Sequence, residues 1–247
     1  MVGDSWFRSF RPAPDRPIRL ICFPHAGGSA SAYLNLAVAV DTQDTQAELL
    51  AVQYPGRQDR RREQARTDLL ALADEITEAL VAQFAGPVAL FGHSMGAALA
   101  FEVTRRLERL GREPIRLFAS GSRAPSLARD EGKHLLDDAG LIADMVEMGG
   151  TDPRLIAEEE ILRMVLPTIR ADYTAIETYL AAADTTVSCP ITALTGDDDP
   201  KAELDAVRGW ARHTSAACDL RVFPGGHFYL MDHVTHIAEE ISKGLTG

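Results

Sequence analysis

Residues 88–101 read VALFGHSMGAALAF, and this stretch decides the fold. Its apolar beginning predicts a buried strand, and its alanine-rich end predicts a helix. Between them lies Gly-x-Ser-x-Gly, a sharp turn that raises Ser94 at the carboxyl end of the strand, within reach of a histidine base. The missing Cβ atoms at Gly92 and Gly96 allow the turn and let the helix pack close to the strand. The alternative interpretation is a glycine-flanked serine that only caps a helix.

Strand and helix patterns alternate on both sides of this turn. Besides the strand before Ser94, apolar runs predict strands at 18–23, 48–54, 115–121, 191–195 and 219–223. Periodic apolar residues and end signals predict helices at 68–84, 95–110 and 234–245. This alternation predicts an α/β fold, a mostly parallel central sheet flanked by helices, with its chemistry at the carboxyl ends of the strands. We expect residues 1–247 to form a single domain.

The alternation breaks between about residues 123 and 185. This region has no strand pattern, and its helical patterns cover 135–148, 158–169 and 171–182. Because the helices are inserted between two strands, we expect a helical lid above the site that excludes water when it closes. The alternative is a set of ordinary scaffold helices.

A serine nucleophile needs a histidine to accept its proton and a carboxylate to orient that histidine. On this type of turn the chain order is serine, acid and histidine, with the last two on loops after late strands. His227 follows the last predicted strand in a glycine loop, and the loop after the preceding strand carries three aspartates. Asp199 is the predicted acid, because it lies far enough along its loop for the chain to turn toward the imidazole. Asp197 and Asp198 are predicted turn residues.

The oxygen that becomes negatively charged during such a reaction needs two preorganised N–H donors. A loop of sequence His-Ala-Gly-Gly follows the first predicted strand at residues 25–28. We assign the two donors to the backbone amides of Ala26 and Met95. His25 is interpreted as a packing residue rather than a base, and a plain strand-to-helix turn is the alternative for the whole loop.

Residues 57–66 contain five arginines in an otherwise acidic chain. Four of them, Arg57, Arg60, Arg61 and Arg62, are interpreted as a candidate docking patch for an acidic partner. The alternative is a solvated loop with some arginine–glutamate pairs.

The composition excludes several classes of function. A formal net charge of −11 argues against a surface for duplex nucleic acid or an anionic membrane. Three cysteines without close spacing predict no disulfide framework, and His233 and His236 lack the further ligands of a metal site, so we expect no metal. Neither an apolar signal segment nor an uninterrupted apolar run of about 18 residues is present, so a cytoplasmic protein is expected.

Six segments spread over nearly the whole chain carry a resemblance to a known family. They are WFR at 6–8, CFPHAGG at 22–28, PGR at 55–57, GHSMG at 92–96, LPTIRADY at 166–173 and GGHF at 225–228. Together they resemble the type II thioesterases, the stand-alone editing enzymes of polyketide and nonribosomal peptide synthases, which have the α/β-hydrolase fold. The resemblance implies a nucleophile, acid and base at Ser94, Asp199 and His227, with oxyanion amides at Met95 and Ala26.

The resemblance also implies a substrate. Acyl groups wrongly attached to the phosphopantetheine arm of an acyl or peptidyl carrier protein would be hydrolysed, and the lid would shape an acyl chamber. No cofactor is expected, since phosphopantetheine arrives on the carrier protein. We expect a monomer that meets its carrier protein transiently, with no nucleic acid and no membrane as partner. The alternatives are a small-molecule carboxylesterase of the same fold, a non-catalytic ligand-binding protein and a chain-terminating cyclase.

Overall fold

A seven-stranded sheet forms the centre of the computed structural model, which describes residues 5–43, 45–129, 131–148 and 158–246. The strands are β1 (Phe7–Ser9), β2 (Ile18–Phe23), β3 (Ala47–Val52), β4 (Val88–His93), β5 (Leu117–Ser120), β6 (Ile191–Gly196) and β7 (Cys218–Phe223). Their order in the sheet is β1-β3-β2-β4-β5-β6-β7. β1 pairs antiparallel with β3, and all other neighbouring strands are parallel. The predicted mostly parallel sheet is therefore confirmed.

Helices cover both faces of this sheet. They are α1 (Leu34–Thr42), α2 (Leu69–Gln83), α3 (Met95–Arg109), α4 (Asp138–Met148), α5 (Glu159–Glu177), α6 (Leu204–Arg208) and α7 (Val234–Thr246). Apolar residues of α2 and α3 belong to one buried cluster, and those of α1 and α7 belong to another. Successive β2 residues alternate between the two clusters, because side chains of a strand point to opposite faces. Each face of the sheet thus has its own apolar core.

Helices α2, α3 and α7 begin and end close to the predicted residues, whereas α1 and α6 lie outside the sequence prediction. The Asp68 carboxylate accepts hydrogen bonds from the amides of Leu70 and Ala71 and caps the start of α2. Helix α3 ends at Arg109, and Gly111 follows with a φ of 71°, a backbone conformation that suits glycine at a helix end. The only strand outside the sequence prediction in the described part of the chain is β1, whose three residues are too few to show an alternating pattern.

The lid region contains helices, as predicted, but their bounds differ. The two helices predicted at 158–169 and 171–182 are one continuous helix, α5, with Pro167 inside it. The predicted break at residue 170 was wrong, because that residue lies inside the continuous helix. It also ends earlier than predicted, since Ala181 lies beyond it and donates its N–H to the Pro125 carbonyl instead.

The first lid helix, α4, packs on α5 through a small apolar cluster of Leu141, Met145, Leu166 and Ile169. The predicted helix at 135–148 begins at Asp138, after a short 3-10 turn at Lys133–Leu135. Part of the 123–185 lid prediction, residues 149–157, lies outside the described residues. Among the helices that are described, none is both long and apolar enough to cross a membrane.

Candidate active site

The Ser94 turn stands at the carboxyl end of β4, in the middle of the sheet, and opens helix α3. Ser94 has a φ of 57° and a ψ of −118°, which residues other than glycine rarely adopt. Its N–H donates to the Ser120 carbonyl on the neighbouring strand at 2.8 Å. This support from β5 helps to hold a strained turn in place.

Close backbone approaches explain the two glycines of the turn. A Cβ atom at Gly92 would lie 2.0 Å from the carbonyl oxygen of Gly96. A Cβ atom at Gly96 would lie 2.0 Å from the carbonyl oxygen of Phe23 on β2. No side chain fits at these distances, so both glycines are required by packing, as the sequence predicts.

Three side chains from distant loops meet at this turn. The Ser94 hydroxyl lies 3.0 Å from Nε2 of His227, and Nδ1 of His227 lies 3.0 and 2.9 Å from the two carboxylate oxygens of Asp199. His227 and Asp199 are buried, whereas Ser94 is partly exposed. A carboxylate that accepts from Nδ1–H leaves Nε2 free to accept the serine proton. The structure therefore brings together the three residues that the sequence selects and in the order that nucleophilic catalysis needs.

The aspartates of the acid loop have different positions. The Asp199 carboxylate faces His227 and also accepts from the N–H of Lys201 at 2.8 Å. The Asp197 carboxylate accepts from the N–H of Gly225 at 2.9 Å, and it thereby ties the acid loop to the histidine loop. The N–H of Asp198 donates to the carbonyl of the same glycine. Asp197 and Asp198 thus hold the loops, and Asp199 faces the imidazole.

Ala26 and Met95 line the same cavity as Ser94 and His227. Among the described residues, neither amide has a hydrogen-bond acceptor. Met95 is the first residue of α3, where backbone N–H groups have no partner within the helix. Two free donors beside a serine hydroxyl are the arrangement that an oxyanion requires.

Two cavities that share lining residues, among them Ala26 and Tyr173, lie at or near Ser94. The one at the serine has a volume of about 100 Å³, and a larger one of about 360 Å³ lies between the glycine loop and the lid helices. The lid wall of the larger cavity is apolar and consists of Met145, Met148, Ile161, Leu162, Val165 and Ile169. The smaller cavity has a charged wall, formed by Arg123, Arg129, Glu131, Lys133, Glu177 and Lys201. The site therefore has an apolar side and a charged side.

Two further histidines lie close to His227. His93 is almost fully buried, and Nδ1 of its ring is 2.9 Å from the hydroxyl of Ser120. Burial, with added repulsion from His227 and His25, lowers the pKa of His93 well below its usual value. Burial, His227 and Arg57 lower the pKa of His25 to about 4. Both rings are therefore neutral near pH 7, and His25 packs edge-on against Phe228, with the ring centres 4.9 Å apart.

The candidate docking patch needs a correction. Arg57 and Arg60 are buried, so their charges do not face solvent. Arg60 lies over the Trp6 ring at 4.0 Å and pairs with Glu63. The prediction of one arginine surface is therefore wrong for Arg57 and Arg60, whose guanidinium groups are buried beside partners, as burial of a charge requires. Of the four arginines named for docking, Arg61 and Arg62 are exposed.

The partner of Arg57 is not evident from the sequence. It is Asp172 on lid helix α5, and the two form a buried ion pair. Each residue lies within a quoted motif, PGR or LPTIRADY, but nothing in either motif indicates that they meet. Among the described residues, no group of three or more His, Cys, Asp or Glu side chains is arranged to hold a metal ion.

Comparisons with known proteins give the family. Residues 18–245 match the thioesterase domain model. The chain is 47% identical over 240 residues to the probable cadicidin biosynthesis thioesterase of Streptomyces griseus, covering 97% of this chain and 66% of that protein. It is 47% identical over 242 residues to thioesterase PikA5 of Streptomyces venezuelae, covering 97% of this chain and 85% of that protein.

The structural comparison agrees. The type II thioesterase BorB from the borrelidin biosynthetic cluster superposes with a TM-score of 0.90 at 45% identity, over 99% of each chain. The resemblance to type II thioesterases and the α/β-hydrolase fold are confirmed. The chain belongs to the thioesterase domain family, whose members are hydrolases that act on thioesters.

Proposed function

We propose that this protein hydrolyses acyl groups from the phosphopantetheine arm of acyl or peptidyl carrier proteins in polyketide or nonribosomal peptide biosynthesis. The observation that carries the proposal is the chain of hydrogen bonds from Ser94 through His227 to Asp199, with Ser94 and His227 lining a cavity. The similar proteins, which are named as biosynthetic thioesterases of Streptomyces and as a type II thioesterase, support the substrate class.

In the first half of the reaction, Ser94 Oγ attacks the carbonyl carbon of the thioester while Nε2 of His227 takes the hydroxyl proton. Asp199 holds the imidazole in the required tautomer and stabilises its positive charge. The carbonyl oxygen becomes negatively charged and accepts hydrogen bonds from the amides of Ala26 and Met95. The intermediate then expels the pantetheine sulfur, which takes the proton from His227, and the acyl group remains on Ser94.

In the second half, water replaces the thiol. His227 Nε2 takes a proton from the water, whose oxygen attacks the acyl carbon and forms a second oxyanion at the same two amides. Collapse of that intermediate returns the proton to Ser94 Oγ and releases the free acid. A thiol with a pKa near 8.5 is a better leaving group than an alcohol, so His227 has less protonating work with a thioester than with an oxygen ester.

The two sides of the site suit the two ends of such a substrate. The cavity of about 360 Å³ under the lid has an apolar lid wall and accepts a short acyl chain. The charged wall contains Arg129, whose Nη1 atom is buried without a partner among the described residues. The pantetheine arm has amide carbonyls that can accept hydrogen bonds from the donors of this wall. An alkyl chain has no such carbonyls.

The test is release of acyl groups from a carrier protein, followed by mass spectrometry. A panel from acetyl to octanoyl is loaded on one carrier protein, and the wild-type protein is compared with Ser94→Ala. We expect free acid and bare carrier protein with the wild type and no release above background with the variant.

The same acids are then offered as oxygen esters. Faster turnover of the oxygen esters than of the carrier-bound thioesters would favour a small-molecule carboxylesterase instead. Failure of a fluorophosphonate to label Ser94 would favour a non-catalytic ligand-binding protein, and release of cyclic products would favour a chain-terminating cyclase.

A further inference from the structure

A buried ion pair links the lid to the loop that carries Ala26. The guanidinium of Arg57 donates to both carboxylate oxygens of Asp172 at 2.8 Å. Their side chains are only 8% and 2% exposed. Arg57 follows β3 and Asp172 lies in lid helix α5, so the pair joins segments 115 residues apart. We name Arg57 and Asp172 together the lid clamp.

The lid clamp also binds the backbone of the glycine loop. The N–H of Gly27 donates to Oδ2 of Asp172 at 2.7 Å, and Arg57 donates to the Gly28 carbonyl at 2.8 Å. The N–H of Gly27 belongs to the rigid peptide unit that follows Ala26. The carboxylate on the lid therefore restricts how the Ala26 backbone can rotate.

Neighbouring contacts fix the lid helix over the same loops. The Thr168 hydroxyl donates to the Gly56 carbonyl at 3.0 Å, one residue before Arg57. The side chain of Ile169 lies 3.0 Å from the position that a Cβ atom at Gly27 would occupy. The charged groups of the lid clamp are thus held from two sides, as a buried ion pair needs if it is to keep one geometry.

We propose that Arg57 and Asp172 are positioning residues, which hold the N–H of Ala26 in the direction of the reacting carbonyl oxygen. This inference rests on the proposed function, because it assigns Ala26 as an oxyanion donor. Among the described residues, neither member of the lid clamp lines the cavity at Ser94. They act through the loop backbone and do not touch the substrate.

A positioning role has a kinetic signature. An oxyanion donor stabilises the transition state more than the bound substrate, so its displacement lowers kcat and leaves KM nearly unchanged. Removal of one oxyanion donor lowers kcat by about 10²- to 10³-fold, so a donor that is displaced but not removed corresponds to about 10- to 100-fold. A residue that only stabilises the fold would lower the amount of active protein and not the kcat of each active molecule.

The experiment uses Asp172→Asn and Arg57→Lys on the full chain. The substrate is a butyryl thioester of N-acetylcysteamine, which needs no carrier protein, and active molecules are counted by complete titration of Ser94 with a fluorophosphonate. A trifluoromethyl ketone of the same chain length serves as an oxyanion analogue. The matched control is Glu102→Gln, since Glu102 is also a buried carboxylate paired with arginines but lies on α3, away from the glycine loop.

We expect Asp172→Asn to lower kcat per active molecule by about 10- to 100-fold, with a KM within about 3-fold of the wild-type value. The affinity for the ketone should fall by a factor similar to that of kcat. Arg57→Lys keeps the charge and loses the bidentate geometry, so a smaller loss is expected. The kcat and the ketone affinity of Glu102→Gln should stay within about 2-fold of the wild-type values, because this change lies away from the site.

Three results would overturn the inference: an unchanged kcat in both lid-clamp variants, a change confined to KM, or a lowered kcat with unchanged affinity for the ketone. If Asp172→Asn gives no titratable protein, Arg57→Lys alone decides. A wild-type protein without thioesterase activity would contradict the proposed function, and ketone affinity in the same variants would still decide on the lid clamp.

Discussion

The imidazole Nε2 of His227 lies 3.0 Å from the hydroxyl oxygen of Ser94, although 133 residues separate them in the chain. The hydroxyl is fixed by the strained turn after β4, and the imidazole is fixed by a loop after the outermost strand, β7. The two meet because the histidine loop reaches back over the carboxyl edge of the sheet. The Asp197 carboxylate, which binds the N–H of Gly225, supports this loop.

The acid of the site is tested by two amide substitutions in one loop. Asp199→Asn should lower kcat by about 10⁴-fold, because the amide favours the wrong tautomer of His227. Asp197→Asn keeps an oxygen that can accept from the Gly225 N–H and should cost less than about 10-fold. Both are measured as steady-state hydrolysis of a small thioester. Equal losses in the two variants would show that the loop, and not the carboxylate at 199, is what matters.

The packing of the Ser94 turn is tested by Gly96→Ala. Its new methyl group would lie 2.0 Å from the Phe23 carbonyl oxygen, so the turn or β2 must move. We expect a loss of more than about 4 kcal/mol in the free energy of unfolding, measured by urea denaturation. Gly111→Ala is the comparison: its Cβ meets no atom within 4 Å, but its φ is 71°, so it should cost only about 1 kcal/mol. A Gly96→Ala protein as stable as the Gly111→Ala protein would contradict the model of the turn.

Sequence patterns are sufficient for most strands and for the selection of His227. Each of these features is encoded by neighbouring residues: an apolar run, a glycine turn, or a loop directly after a strand. The choice of Asp199 over Asp197 depends only on how far along the loop each residue lies. In the structure, a carboxylate oxygen of Asp199 lies 2.9 Å from Nδ1 of His227.

Features that depend on distant segments were beyond local patterns. The burial of Arg57 depends on Asp172, which lies 115 residues further along the chain. Neighbouring arginines look alike in the sequence whether their side chains are exposed or buried. The sequence therefore does not distinguish exposed Arg61 from buried Arg60. The sequence analysis gives two helices, at 158–169 and 171–182, where the structure has one continuous helix, α5, because the apolar pattern of a short segment does not show whether a helix continues through residue 170.

The buried His93 should make stability depend on pH. The pKa of His93 in the folded protein lies well below the value of about 6.5 in the unfolded chain. The unfolded chain therefore binds a proton below about pH 6.5 that the folded chain does not, and the stabilisation present above that pH is lost as the pH falls. Each such proton contributes a slope of about 1.4 kcal/mol per pH unit.

The measurement is the free energy of unfolding in urea between pH 7.5 and 5. The wild-type protein is compared with His93→Asn, whose side chain does not titrate and places its amide near the position of Nδ1, beside the Ser120 hydroxyl. Below pH 6.5 the free energy of unfolding should depend less steeply on pH in the variant, by the contribution of about one proton. Parallel curves for the two proteins would show that His93 takes up its proton equally in both states.

The exposed arginines of the docking prediction remain to be tested on a carrier protein. Arg61 and Arg62 face solvent, so Arg61→Glu and Arg62→Glu reverse charge without disturbing the core. Carrier proteins of this kind are generally acidic. Each reversal should therefore raise KM for an acyl carrier protein by about 3- to 10-fold and leave kinetics with a small thioester unchanged. The rise should shrink at high salt, because charges on a rim are screened.

Arg109→Glu is the control for this comparison. Arg109 is exposed at the last turn of α3, at the end of the helix far from Ser94, and its reversal makes the same change in net charge. It should leave KM for the carrier protein unchanged. Arg60→Glu is unsuitable, because its buried guanidinium packs on Trp6 and pairs with Glu63, so reversal would unfold the protein. An equal rise in KM for Arg109→Glu and Arg62→Glu would mean that overall charge, and not a patch at residues 61–62, attracts the carrier protein.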